Sequence, residues 1–313
     1  MRWTRRSAFA TAMATLALTF AACGSNGVAA EQRYEERAGA PVAEVVAQGG
    51  GRAVVIAAAG DIAAQGGPSD ENEQTAGLIE DLAPHAVLTL GDNQYDDGEL
   101  AEYLESYDLT WGRFKDITFP TPGNHDYHTD DAQGYFDYFG DVANPPDGYY
   151  SYDLGSWHLV AVNSEDGNIS DEQRAWIRRD LRSDRHLCEL AYWHHPRWSS
   201  GDEHGSDSDM AAVWKLMARQ GVDVVLNGHD HVYERFAKLN GSGELDRNGV
   251  RGFIAGTGGD SLDGFDDAET GSRARIAEYG VLTMVLRERR YAWAFLRAGD
   301  GAVLDDGTTV CHA

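Results

Sequence analysis

The feature that most constrains the fold of this chain is a series of short apolar runs that each end in turn-forming polar residues. Such runs, for example residues 53–60 and 85–93, are typical of buried β-strands. Amphipathic stretches at 70–83 and 209–220 have the spacing of helices and lie between strands. Because hairpin-like strands follow near the C-terminal end, we predict an α/β fold, a layered sandwich of two mixed β-sheets flanked by helices.

Five polar clusters follow the predicted strands directly. Loops at the carboxyl ends of strands are where layered α/β folds bind ligands, so these clusters are expected to meet at one edge. They are GDIA (60–63), GDNQY (91–95), GNHD (123–126), WHHP (193–196) and GHDH (228–231). A single cluster of this kind is weak evidence, because Gly and Asp are common in ordinary solvated turns.

Taken together, the clusters offer oxygen and nitrogen donors and no thiolate. This donor set suits iron, zinc or manganese. A glycine before several of the donors lets the backbone turn sharply, so that short side chains can converge. The candidate ligands are Asp61, Asp92, Tyr95, Asn124, His194, His229 and His231.

The ordered pattern GD…GDxxY…GNH[DE]…H…GHxH resembles that of the calcineurin-like metallophosphoesterases. GDNQY and GHDHVYER resemble the purple acid phosphatase branch in particular, and the resemblance spans about residues 54–256. Ala63 stands where many family members have a metal-binding histidine, and Tyr95 is the replacement expected in the purple branch. The resemblance implies two metal sites with one bridging ligand. One site would comprise Asp61, Tyr95 and His231, the other Asn124, His194 and His229, with Asp92 shared.

The resemblance also implies an activity, a metal-dependent hydrolysis of phosphoric esters. The expected cofactors are two metal ions, Fe(III) with a divalent Zn, Mn or Fe ion, and the expected substrate is a phosphorylated small molecule. A phosphate monoesterase is the leading hypothesis. A phosphodiesterase or a nucleotide or phospholipid hydrolase with the same metal site is the alternative. A third hypothesis is a catalytically idle surface protein that binds a partner.

Further histidines are candidates for supporting roles. The resemblance implies that His125 contacts the phosphate, and the adjacent Asp126 could orient it. It also implies that His204 helps to bind substrate and protonates the leaving alkoxide, although the acidic loop around His204 could be plain surface. An imidazole can perform such a proton transfer. His195 follows a predicted ligand directly and, on a strand, would point the opposite way.

The formal net charge of −25 argues against a basic surface for nucleic acid. Runs of acidic residues are usually solvated surface. A phosphate substrate therefore requires a local reversal of charge, which the two metal ions would supply.

The first 23 residues have the pattern of an export signal, with three arginines before an apolar run that ends at Cys23. FAAC resembles the lipobox of bacterial lipoproteins, so we predict lipidation at Cys23 and a membrane anchor on the outer side of the cell; simple secretion is the alternative. Residues 24–50 are predicted to be a flexible tether, and residues 51–313 a single domain.

When Cys23 is set aside, Cys188 and Cys311 remain as an even pair of cysteines. In an exported chain such a pair suggests a disulfide; two free thiols are the alternative.

Overall fold

The computed structural model describes residues 53–165 and 169–312. The predicted export signal and tether, residues 1–23 and 24–50, lie outside the described residues. Within the described part, two mixed β-sheets pack face to face and helices cover their outer faces. The predicted layered α/β sandwich is confirmed.

Strands and helices alternate in the first half of the domain, and strands dominate the second half. The strands are β1 Val54–Ala59, β2 Ala86–Leu90, β3 Thr118–Thr121, β4 Tyr150–Leu154, β5 Trp157–Ala161, β6 Glu189–Tyr192, β7 Val224–Asn227, β8 Tyr233–Leu239, β9 Val250–Ala255, β10 Ser272–Ile276, β11 Gly280–Arg287, β12 Arg290–Arg297 and β13 Val303–Val310. The α-helices are α1 Asp70–Leu82, α2 Leu100–Glu105, α3 Gln133–Phe139, α4 Asp171–Ser183 and α5 Ala211–Gln220. Short 3₁₀ helices are Tyr107–Leu109, Trp111–Ile117, Asp126–His128, Asp130–Ala132 and Gly140–Ala143.

The first sheet has the order β13-β12-β11-β1-β2-β3 and the second has the order β10-β8-β9-β7-β6-β5-β4. Strands β1, β2 and β3 run parallel, as do β5, β6, β7 and β9. The remaining pairs are antiparallel, including the hairpin of β4 and β5. The parallel strands form one edge of the first sheet and the middle of the second, and the loops at their carboxyl ends carry the polar clusters.

The cores explain why the central strands are apolar on both faces. Ile56 and Leu88 of the first sheet share one core with Leu190 and Leu226 of the second sheet. On the outer face of the first sheet, Ala57 packs in a core with residues of α1 and α3, and α4 and α5 cover the second sheet. A strand buried on both faces loses the alternating pattern and becomes a continuous apolar run.

Side-chain hydrogen bonds cap the N-termini of two helices, α4 and α1. Ser170 is the N-cap of α4 and accepts a hydrogen bond from the backbone N–H of Gln173 at 3.1 Å. The Ser-x-x-Gln spacing is that of a capping box, but the Gln173 side chain donates instead to the carbonyl of Asn163 at 2.9 Å. Ser69 and Asn72 do form a reciprocal capping box at the start of α1.

The predicted disulfide joins Cys188 to Cys311. Cys188 precedes β6 in one sheet and Cys311 follows β13 in the other, so the bond links the two sheets at one end. None of the helices in residues 53–165 and 169–312 is both long and apolar enough to cross a bilayer.

Candidate metal centre

The seven predicted ligands converge at the carboxyl ends of β1, β2, β3, β6 and β7. The first group of donors surrounds the phenol of Tyr95. Its Oη lies 2.9 Å from Oδ1 of Asp61, 3.1 Å from Oδ2 of Asp92 and 3.0 Å from Nε2 of His231. Nε2 of His231 is also 3.3 Å from Oδ1 of Asp61. These are the residues that the sequence pattern assigns to one metal, together with the bridging ligand.

The second group of donors surrounds the imidazole of His194. Its Nε2 lies 3.1 Å from Oδ1 of Asn124 and 3.2 Å from Nδ1 of His229. The same nitrogen is 3.2 Å from Oδ2 of Asp92. Oδ2 of Asp92 therefore belongs to both groups, which is the position that a bridging carboxylate requires.

The two groups fit metal ions by their spacing and their chemistry. Donors that bind one metal at about 2.0–2.2 Å lie roughly 3 Å from one another, and the separations in both groups are of that size. Burial, with the nearby carboxylates of Asp61 and Asp92, raises the pKa of the Tyr95 phenol well above its usual value. Burial also opposes ionisation of Asp92, but His194 holds the pKa of that carboxyl well below its usual range. Buried acceptor atoms in such close contact repel one another, and a bound cation would stabilise this arrangement.

The backbone at the ligands is held in a conformation that most residues avoid. Asp61, Asp92 and His229 have φ angles of 59°, 45° and 73°, in the left-handed region. Gly91 has a φ of 84°, and a Cβ there would lie 2.4 Å from Nδ1 of His194. The sharp turns at the strand ends therefore let the ligands approach one another closely, as the sequence predicts.

Groups outside the ligand set orient the histidines. Nδ1 of His194 lies 2.8 Å from the Leu90 carbonyl, which only accepts, so Nδ1 carries the hydrogen and Nε2 is left for a metal. Ser261 contacts Nδ1 of His231 at 2.7 Å, and Asp263 accepts from the His231 backbone N–H at 2.9 Å. The sequence motifs do not identify Ser261 and Asp263. The signal that could have identified them is the polar GTGGDSLD segment that follows β9.

The predicted orientation of His125 by Asp126 is wrong. Asp126 is fully buried, and its carboxylate accepts hydrogen bonds from Gly123, Asn93 and Tyr103. His125 instead donates from Nδ1 to the carbonyl of Asp96 at 2.6 Å. The cause is the tight turn after β3, which directs Asp126 inward to hold the turn together. Asp126 therefore positions the GNHD loop, while the ring of His125 packs 4.2 Å from that of Tyr95.

Two further histidines lie beside the second donor group. The ring of His204 stacks on that of His229 with centroids 4.1 Å apart. The backbone N–H groups of His204 and Gly205 both donate to Asp230, which ties this loop to the GHDH segment. The expectation that His195 points away is wrong, because β6 ends at Tyr192 and strand alternation stops there. The His195 ring lies 4.3 Å from that of His229.

The fold and the converging ligands define a metallophosphoesterase. The chain belongs to the calcineurin-like phosphoesterase family, whose family model matches residues 54–233. Within that family it is similar to plant purple acid phosphatases. Purple acid phosphatase 15 of Arabidopsis thaliana is 30% identical over 169 residues, which cover 48% of this chain and 32% of that protein. Probable purple acid phosphatase 20 of the same plant is 26% identical over 239 residues, covering 65% of this chain and 55% of that protein. The chain thus spans less than two thirds of the length of these relatives.

Solved structures support the same fold. A purple acid phosphatase from yellow lupin seeds, PPD1, superposes with a TM-score of 0.66 at 19% identity, covering 83% of this chain and 54% of that one. GAP50, described as the anchor in the inner membrane complex of Plasmodium, superposes with a TM-score of 0.64 at 16% identity, covering 83% and 90%. At these identities the likeness shows the fold alone. The comparisons confirm the predicted family and its purple acid phosphatase-like character.

Proposed function

We propose that this protein hydrolyses phosphate monoesters at a dinuclear metal centre. The observation that carries the proposal is the shared position of Asp92, whose Oδ2 lies 3.1 Å from the Tyr95 phenol and 3.2 Å from Nε2 of His194. Asp61, Tyr95 and His231 would hold one ion, and Asn124, His194 and His229 would hold the other. When bound, two such ions supply a hydroxide nucleophile at moderate pH and neutralise charge on the phosphate.

The donor types support a proposal for the two metals. A buried phenol gives up its proton only to a strongly charged cation, so Tyr95 supports Fe(III) at the first position. The second position, with two imidazoles and an amide oxygen, suits a divalent Zn, Mn or Fe ion.

The side chains around the centre supply binding and proton transfer. His125 donates to the Asp96 carbonyl through Nδ1, which leaves Nε2 for a phosphate oxygen. His204, stacked on the ligand His229, is placed to protonate a leaving alkoxide. Ring packing on Tyr95 and His229 fixes both imidazoles beside the centre, as general acid–base catalysis requires.

A cavity beside His204 supports a monoester of a polar, uncharged or cationic alcohol. Its volume is about 790 Å³, and its wall begins at Gly205, the next residue in the chain. Three carboxylates and three hydroxyls line it, and none of the lining residues is basic. An acidic wall repels a leaving group that carries further phosphates, which weighs against a nucleotide hydrolase. The lining residues are Ser199, Ser200, Gly201, Gly205, Ser206, Phe265, Asp266, Asp267 and Glu269.

The test compares two chromogenic esters, p-nitrophenyl phosphate and bis(p-nitrophenyl) phosphate, with metal content measured on the same samples. We expect higher kcat/KM on the monoester and two metal ions per chain. Asp92→Asn should reduce both metal content and activity, whereas the exposed Asp116→Asn is the matched control and should change neither. Faster turnover of the diester would reassign the protein to the phosphodiesterases. Metal binding without turnover of either ester would favour the idle binding protein.

We also propose that the protein is exported and anchored to the outer side of the cell membrane through a lipid on Cys23. The disulfide between Cys188 and Cys311 supports export, because such bonds persist in oxidising compartments. Cys23→Ala should move the protein from the membrane fraction to the soluble fraction or block its processing. Recovery of the native protein in soluble form, with an N-terminus downstream of Cys23, would instead indicate simple secretion.

A further inference from the structure

A second cluster of imidazoles and carboxylates lies at the opposite end of the parallel strands from the metal centre. His158 is in the register position of β5 that pairs with Glu189, the first residue of β6. The ligand His194 lies beyond Tyr192, the last residue of β6. The two clusters are therefore separated by the length of that strand.

The cluster contains Asp153 at the end of β4, His158 in β5, and Asp184 and His186 in the loop after α4. One donor atom from each of the four lies within 4.8 Å of the others. Nδ1 of His158 is 2.8 Å from Oδ1 of Asp153 and 3.9 Å from Oδ1 of Asp184. Nδ1 of His186 is 2.7 Å from that Asp184 oxygen and 3.8 Å from the Asp153 oxygen. The four atoms form a closed ring that alternates nitrogen and oxygen.

The dimensions of this ring fit tetrahedral zinc. Zinc binds histidine nitrogen and carboxylate oxygen at about 2.0–2.1 Å, which places tetrahedral donors roughly 3.3 Å apart. The four separations, from 2.7 to 3.9 Å, lie on either side of that value.

The far side of the His158 ring has the partner that a metal-binding histidine requires. Nε2 of His158 lies 2.8 Å from Oδ2 of Asp180, and the other oxygen of Asp180 accepts from Ser151 at 3.0 Å. A carboxylate at Nε2 keeps the hydrogen on that nitrogen and leaves Nδ1 to bind a metal. The carboxylate–histidine arrangement of a metal site is therefore already in place.

Charge and access also favour a cation here. Four carboxylates, those of Asp153, Asp180, Asp184 and Glu189, lie near the two imidazoles. The Asp153 side chain is 61% exposed, so an ion can reach the cluster from solvent.

We propose that Asp153, His158, Asp184 and His186 form a structural zinc site, separate from the dinuclear centre. Zinc would replace the proton on His158 and tie the β4–β5 hairpin to the loop that joins α4 to β6. In the competing interpretation, His158 is protonated and forms ion pairs with the neighbouring carboxylates, and no metal binds.

The test is equilibrium dialysis of the full chain against micromolar zinc after the dinuclear centre has been loaded. His186→Gln and Asp153→Asn each remove one donor at the more exposed side of the cluster, so the buried His158 stays intact. His85→Gln, at a histidine outside both clusters, is the control. Zinc per chain is measured on all four proteins.

We expect the wild type and the control to bind one zinc per chain more than the two cluster variants, with phosphatase activity unchanged in every protein. Equal zinc binding by the wild type and the cluster variants would overturn the proposal. If the dinuclear centre itself fails to load, the wild type should still retain one zinc that the cluster variants lack. That result would refute the proposed function and support the zinc site.

Discussion

Reduction of the disulfide between Cys188 and Cys311 should destabilise the protein strongly. The two cysteines are 123 residues apart in the sequence, so the bond closes a loop that includes most of the second sheet. In the chain-entropy model, a crosslink across a loop of this length removes about 5 kcal/mol of conformational freedom from the unfolded state. Cys188 precedes β6 of one sheet and Cys311 follows β13 of the other, so the bond also joins the two sheets.

The assay is urea unfolding, followed by circular dichroism, of the oxidised protein and of the same protein with reductant. With an m-value of about 3 kcal/mol/M for a domain of this size, the unfolding midpoint should fall by about 1.7 M. The double variant Cys188→Ala/Cys311→Ala should unfold near the reduced midpoint, and reductant should not change its transition.

One result would refute this reasoning. If the oxidised and reduced proteins unfold at the same midpoint, and only the amides of β13 exchange faster after reduction, the bond restrains a terminal strand and not the whole fold. Loop length would then be the wrong basis for the magnitude.

The remaining predictions concern the metal centre. Tyr95→Phe removes the phenol and should abolish the visible charge-transfer absorption of iron-loaded protein without changing its circular dichroism; a colourless, fully active wild type with zinc alone would contradict the iron assignment. His204→Ala should retain both metals, and its kcat should fall by about a hundredfold on alkyl phosphates but much less on aryl phosphates, because an alkoxide needs the proton. A uniform loss would assign His204 to phosphate binding. Gly123→Ala places a Cβ 2.2 Å from Oδ1 of Asp92, so metal content and activity should both fall, whereas Gly77→Ala, with open space around its Cβ, should leave both unchanged.

The sequence predicts the sheets better than the helices between them. The apolar strands are recognisable because both faces are buried, as in β1 and β2. Helices α2 and α3 contain only six and seven residues, too few turns for a helical period to emerge. They are held by a cluster of aromatic rings, including Tyr103 and Tyr138, whose centroids are 4.8 Å apart. Tertiary contacts of this kind leave no local periodic signal.

The sequence also predicts which residues converge, but not how each is oriented. The convergence of the seven predicted ligands is recognisable because their motifs follow strand ends in order. The direction of His195 is wrong because β6 ends before it, and that of Asp126 is wrong because adjacency to His125 in the sequence does not show which way a side chain points in a 3₁₀ helix. Ser261 was missed because it follows a strand that carries no ligand, and only the folded chain brings it to His231.

The left-handed backbone at Asp61, Asp92 and His229 has an evolutionary consequence. A residue with a Cβ pays roughly 1 kcal/mol or more for this conformation, and glycine does not. Backbone strain alone would therefore favour glycine at these positions. The metal site opposes glycine, as do the backbone hydrogen bonds that Asp61 and Asp92 accept from His229 and His125. In a lineage that lost its enzymatic role, glycine should accumulate there early. The residues at positions 61, 92 and 229 could thus distinguish, from sequence alone, homologues that keep the metal site from homologues that have lost it.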